Sequence, residues 1–350
     1  MILHPLGMTF LVVGLTLLGA VLLYILYFNL SPMPVVRMLR KGMDAKLTYP
    51  PEFDRDNVDV QIEKDLAYPS HYRNAMFDLY MPARAKQPVP VILWVHGGAF
   101  VAGDKSGVEN WGAMLAARGY AVVSMNYEWA PEARYPAQLI QINECLQYIQ
   151  QLAKSRSFDM DQLFLAGDSA GAHMVAQFAA LQTNESLSNE LQITSSIPKG
   201  GIKGVLLFCG PYDIELMTKP KSRLMRLFLG RIGWSYLGKR NWQKSPLAKT
   251  LKVTTYVTPH YPPCYITDGN TGSFEGHGRA LVKVLRENGV PVVDRFFLLD
   301  DGIVNHEYQV DLLRPEGLLA FEDTLLFLSK RSESNDRDME CPITNLGSQN

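Results

Sequence analysis

The chain has 350 residues, 34 basic and 35 acidic side chains for a net charge of −1, and 47% hydrophobic residues. So even a balance gives no field to draw the chain onto nucleic acid, and nothing repeats at a fixed period, so one large α/β domain is the economical reading. Cys145, Cys209, Cys264 and Cys341 lie far apart and the histidines do not cluster, so free thiols are expected rather than a zinc site or a disulfide framework.

Residues 1–36 contain no Lys, Arg, Asp or Glu, and residues 8–30 are almost continuously apolar. At 1.5 Å per residue this stretch is long enough to cross a hydrocarbon core of about 30 Å, and it has no polar face with which to border a soluble domain. It reads as a transmembrane helix. A cleaved signal peptide is the rival, but a basic leader, a shorter apolar core and a small-residue cleavage site are not visible. Arg37, Arg40, Lys41 and Lys46 follow the span, and basic flanks stay in the cytoplasm, so the rest of the chain is expected there.

Past a proline-containing link, Val58, Val60 and Ile62 alternate with polar residues and residues 76–80 run extended toward Pro82, predicting antiparallel opening strands. Residues 91–95 are an unbroken apolar run of the kind buried on both sheet faces, and they end in His96-Gly97-Gly98-Ala99-Phe100. A helix over 108–118 stopped by Gly119, a strand over 120–125 and a helix over 136–153 come next. Alternation of this kind predicts a mainly parallel sheet with helices on both faces.

Residues 162–166 then form a short apolar strand and residues 170–180 an alanine-rich helix, with Gly167-Asp168-Ser169-Ala170-Gly171 between them. Strand, tight turn and helix are what a nucleophile elbow requires, because a serine held there in a strained conformation needs small neighbours for strand and helix to approach. The amides of Gly97 and Gly98 on one side and Ala170 on the other would then face developing negative charge as an oxyanion hole.

On these residues the chain resembles the α/β-hydrolase superfamily, and within it the hormone-sensitive-lipase-like carboxylesterases. The resemblance rests on Phe77-Asp78-Leu79-Tyr80-Met81-Pro82, His96-Gly97-Gly98-Ala99-Phe100, Asn126-Tyr127, Ala130-Pro131-Glu132, Tyr135-Pro136-Ala137 and the pentapeptide around Ser169, in that order, and covers roughly residues 75–330. It implies an α/β-hydrolase fold and serine-dependent hydrolysis of small-molecule esters without a metal or organic cofactor. Ala99 stands where lipase-like members usually have a third glycine, which narrows the adjoining pocket.

Two further strands are expected at 263–267 and 292–299, and a triad on this fold takes its acid after the first and its histidine after the second. His306 occupies the second place. For the acid, the family pattern points to Gly272, which has no carboxylate; Asp268 at the strand end is favoured over Glu275 in the first turn of a helix, with Asp213 more remote. The resulting division is a transmembrane anchor (1–30), a juxtamembrane linker (31–50), a hydrolase domain (51–330) and a polar tail (331–350) expected to be disordered. The basic, leucine-rich stretch 217–242 is either a lid over the site or surface helices packed on the core. Amide or formamide hydrolysis by the same groups, and a non-catalytic binding protein on a hydrolase scaffold, are the alternative functions.

Overall fold

The computed structural model describes residues 5–42, 47–55, 58–85, 87–217 and 222–332. Lys46, Cys341 and nearly all of the tail read as disordered lie outside them. Helix α1 (Pro5–Leu30) has its apolar side chains exposed over most of its length, and its segment Met8–Leu30 is long and apolar enough to cross a membrane. The stretch read as a linker contains a second helix, α2 (Met33–Gly42), which buries Val35 and Val36. Pro34 does not oppose it, because a helix tolerates proline in its first turn, where the missing N–H has no partner to lose.

Strands β1 (Val60–Ala67) and β2 (Met76–Pro82) open an eight-stranded sheet, followed by β3 (Val89–Val95), α3 (Glu109–Ala116), β4 (Ala121–Met125) and α4 (Ala137–Arg156). Next come β5 (Phe158–Asp168), α5 (Ala170–Thr183), α6 (Glu185–Leu191) and β6 (Ile202–Phe208), then the short α7 (Ile214–Met217) and α8 (Arg223–Leu237). Strand β7 (Cys264–Asp268), α9 (Glu275–Glu287), β8 (Val292–Phe296) and α10 (Pro315–Arg331) complete the described residues. Spatial order is β1-β2-β4-β3-β5-β6-β7-β8, antiparallel at the β1/β2 and β2/β4 pairs and parallel throughout the rest. The mainly parallel sheet flanked by helices that the alternation predicts is therefore the sheet observed.

Side chains of β3 alternate between two cores. Val91, Leu93 and Val95 join α4, α5, α8 and α9 on one face, while Ile92 and Trp94 join α3 and α10 on the other. Trp94 stacks on Phe208 with ring centroids 5.3 Å apart, lies 5.4 Å from Trp111, and donates its indole N–H to Asp168 Oδ1 at 2.8 Å. Losing a fully buried aromatic of this size typically costs about 3–5 kcal/mol, so the residue beside the nucleophile is held by the core itself.

Candidate active site

The carboxyl ends of β3, β5, β7 and β8 supply the site. Between β5 and α5, Ser169 sits at φ 48°, ψ −116°, a backbone conformation foreign to an ordinary side-chain-bearing residue. Its neighbours make the turn possible: a β-carbon on Gly171 would fall 1.9 Å from the Val95 carbonyl oxygen, and one on Gly167 2.6 Å from the Gly171 backbone. Ser169 is only 8% exposed, and its Oγ lies 3.0 Å from His306 Nε2.

His306 is held by the loop after β7. Thr271 N–H donates to the Val304 carbonyl at 3.0 Å, while the Asn270 amide donates to the carbonyls of Leu298 and Gly302 and its Oδ1 accepts from Val304 N–H. The two loops pack so closely that a β-carbon on Gly269 would lie 2.3 Å from the Asn305 carbonyl oxygen. Phe274 sets its ring edge against the imidazole at 5.3 Å.

The carboxylate expected to touch His306 does not reach it directly. Ser273 stands between them: its hydroxyl donates to Asp268 Oδ1 and accepts from His306 Nδ1 at 2.7 Å. That places the imidazole proton on Nδ1 and turns the Nε2 lone pair toward Ser169. Glu275 is elsewhere, paired with Arg279 one turn along α9, and Asp213 faces Lys252 at 3.7 Å, so neither alternative acid meets the histidine. Burial lowers His306 to about 4 and raises Asp268 to about 7, the latter against the opposing pull of Ser273 and nearby backbone amides. Cys209, Asp268 and His306 present donor atoms within 4.8 Å of one another. Both ring nitrogens of His306 already face hydroxyls, so the group is better suited to proton transfer than to holding a metal ion.

The glycine turn differs from expectation in one amide. Gly97 N–H donates to Asp168 Oδ2 at 2.7 Å, so it is engaged inside the protein and not aimed at a substrate oxygen. Gly98 follows at φ +116°, where a β-carbon would lie 2.0 Å from the Ala102 carbonyl oxygen, and Ala99 and Phe100 also take positive φ. Ala170 opens α5, so its N–H has no partner within the helix. Phe100 stacks on Tyr236 of α8 at 4.1 Å and meets His173 edge-on at 5.6 Å, walling one side of the site with aromatic rings.

Glu307 brings a second carboxyl to Asp168. It follows His306 in the left-handed conformation, and its side chain hydrogen-bonds Asp168 beneath the Gly97 turn. Two buried carboxyl groups in contact hold one negative charge more easily than two, so this pair, between the residue before Ser169 and the residue after His306, favours keeping one proton. Burial, and then the charge of Asp168, raises Glu307 to about 8 from its ordinary 4.5. A value raised on folding favours the protonated form, so the stability it contributes is complete below about 4.5 and is lost as pH rises through about 8. Glu307→Gln, permanently neutral and still able to donate to Asp168, should unfold at a temperature that increasingly exceeds that of the parent between pH 5 and pH 9. Thermal unfolding curves of the solubilised chain with identical pH slopes would show that the pair does not hold this proton.

Residues 77–274 match the family model BD-FAE. The probable isoprenylcysteine alpha-carbonyl methylesterase ICME of Oryza sativa subsp. japonica is 31% identical over 159 residues, which is 44% of this chain and 36% of that protein. An acetyl esterase of Salmonella schwarzengrund is 26% identical over 232 residues, 64% of this chain and 68% of its own length. In structure, esterase B from Lactobacillus Rhamnosis superposes with a TM-score of 0.71 at 22% identity, covering 85% of this chain and 95% of that one. A truncated carbohydrate esterase from gut microbiota covers 82% of this chain and all of its own, with a TM-score of 0.65 at 19% identity. The fold is the α/β-hydrolase fold that the motifs implied.

Proposed function

Because this chain belongs to the BD-FAE family, we propose that it hydrolyses carboxylic esters through an acyl-enzyme formed on Ser169. The observation that carries the reading is the 3.0 Å contact between Ser169 Oγ, on its strained elbow, and His306 Nε2. His306, neutral through burial, takes the serine proton as Oγ attacks the ester carbonyl, then returns it to the departing alcohol. Water repeats the attack on the acyl-enzyme. The Asp268–Ser273 pair holds the Nδ1–H tautomer and stabilises the imidazolium that forms. The amides of Gly98, Ala99 and Ala170 face the oxyanion. Phe100 packs against His173 and Tyr236 beneath α8 and leaves only about 20 Å³ there, so that side has no room for a long acyl chain. Acetyl, butyryl and decanoyl esters of p-nitrophenol should accordingly be cleaved with kcat/KM falling along the series. A preference for decanoyl would overturn the short-acyl assignment, and no turnover of any of the three would overturn the ester reading.

For topology, α1 is retained as a membrane anchor with the hydrolase domain in the cytoplasm. Of the three basic residues just past the span, Arg37 and Lys41 are exposed, while Arg40 forms a two-pronged pair with Glu132 and donates to the Val101 carbonyl at 2.8 Å. Arg40 thereby fastens the base of the anchor to the turn that carries Gly98. Protease added to intact cells should leave the domain undigested. Its digestion, or a mature chain beginning after Leu30, would contradict the anchored cytoplasmic reading.

A further inference from the structure

The charge of the chain is unevenly placed. From Leu216 to Thr267 there are ten lysines and arginines and no acidic residue, leaving −11 on the remainder of a molecule whose net charge is −1. Helix α8 lies in this stretch and has two dissimilar halves. From Leu229 onward it buries Leu229, Ile232, Ser235, Tyr236 and Leu237, with Tyr236 stacked on Phe100 beside the nucleophile. Its first five residues, 223–227, are all exposed: Leu224 is 76% exposed, Met225 45% and Leu227 41%. Exposed leucines on consecutive turns mark a contact surface in a soluble protein, and here they have arginines interleaved.

Arg231, at the middle of α8, donates to the Phe28 carbonyl in the last turns of α1 at 3.1 Å and lies over the Phe28 ring at 5.1 Å. Leu224 and Leu227 stand seven and four residues before Arg231, which places them on the same face of α8 as the contact with α1. At about 1.5 Å per residue they lie roughly 6 and 11 Å from it along the helix, close to the end of the span, where the headgroups of a bilayer begin. An apolar face rimmed by cations at that level matches the acidic interface of a membrane and would be costly to leave in water.

We propose that the amino-terminal half of α8 is seated in the headgroup layer of the bilayer that α1 enters, and that the esters reaching Ser169 are dissolved in that bilayer. The proposal rests on the anchored serine-hydrolase reading and adds to it a substrate class, an apolar alcohol carrying a short acyl group. Helix α8 then joins membrane and site, wetted by lipid at Leu224 and packed against the acyl side at Tyr236.

The full chain, reconstituted in vesicles containing phosphatidylglycerol, should be assayed on water-soluble p-nitrophenyl acetate and on bilayer-dissolved hexadecyl acetate. The double variant Leu224→Glu/Leu227→Glu should retain turnover of the soluble ester within about twofold while losing about tenfold or more on the dissolved one, as expected when only interfacial seating is removed. Equal rates of parent and variant on hexadecyl acetate would overturn the proposal. Should the variant lose both activities alike, an environment-sensitive fluorophore at Leu224→Cys, with Cys341 replaced, decides. Shielding of the dye from aqueous iodide in the vesicles supports the proposal. Full quenching, or crosslinking of position 224 to a second copy or to another protein, overturns it. Failure of the parent to cleave p-nitrophenyl acetate would count against the esterase reading instead, and the fluorophore would still report where α8 lies.

Discussion

Ser169→Ala is expected to lower ester turnover by about a millionfold and to abolish labelling by a fluorophosphonate, with the fold intact. The loss is large because the nucleophile is the one group for which no neighbour can substitute. Asp168 is engaged with Trp94 and Gly97, and His306 meets the substrate only through Ser169. Folding should survive because Ser169 makes one side-chain hydrogen bond, to His306, while the elbow itself is set by the close approaches at Gly167 and Gly171. Residual activity above the rate in water would measure the oxyanion amides and substrate binding alone, typically about 10³–10⁴-fold. Labelling that persists at the wild-type rate would place the nucleophile elsewhere.

The strands and the elbow were legible because they are local. Unbroken apolar runs such as Val91-Ile92-Leu93-Trp94-Val95 can hardly be other than buried strands, and glycine spacing around Ser169 is a steric demand written directly into the chain. His306 could be located by chain order, since the parallel sheet leaves few places for a base after its last strand. Ser273 could not. A serine following Asn270-Thr271-Gly272 looks like any turn residue, and its role exists only because the loop after β7 is laced to the loop carrying His306 through Asn270 and Thr271. The shift of Gly97 from oxyanion donor to Asp168 partner has the same origin. Asp168 is visible in the motif, but its contact with Glu307 depends on two loops 139 residues apart meeting under one turn. Helix α2, within the stretch 31–50 read as a juxtamembrane linker, was not legible because ten residues carry little periodic signal; Pro34 falls in its first turn, where proline is permissive.

The arrangement Asp268, Ser273, His306 and Ser169 makes the remaining large effect a graded one. Asp268→Asn should reduce kcat by about 10³–10⁴-fold with little change in KM, because an amide can donate to the Ser273 oxygen, reverse that hydroxyl and favour the imidazole tautomer whose proton faces Ser169. Ser273→Ala should cost less, about 10–100-fold, since Asp268 and His306 retain donor atoms within 4.8 Å and a water molecule can take the place of the hydroxyl. The two residues act along one path, so the double variant should be no slower than Asp268→Asn alone, a strong departure from additivity. Glu275→Gln should be nearly silent, its carboxylate being paired with Arg279. The pH profile adds a second readout. Burial holds the Asp268 carboxyl at about 7, so kcat/KM of the parent should decline as pH falls through that region and the carboxylate is neutralised. In Asp268→Asn this limb should vanish, and any remaining decline should shift toward the value of about 4 to which burial brings His306. An acid limb unchanged in Asp268→Asn, or losses that multiply in the double variant, would mean that His306 is oriented by something other than the carboxylate behind Ser273.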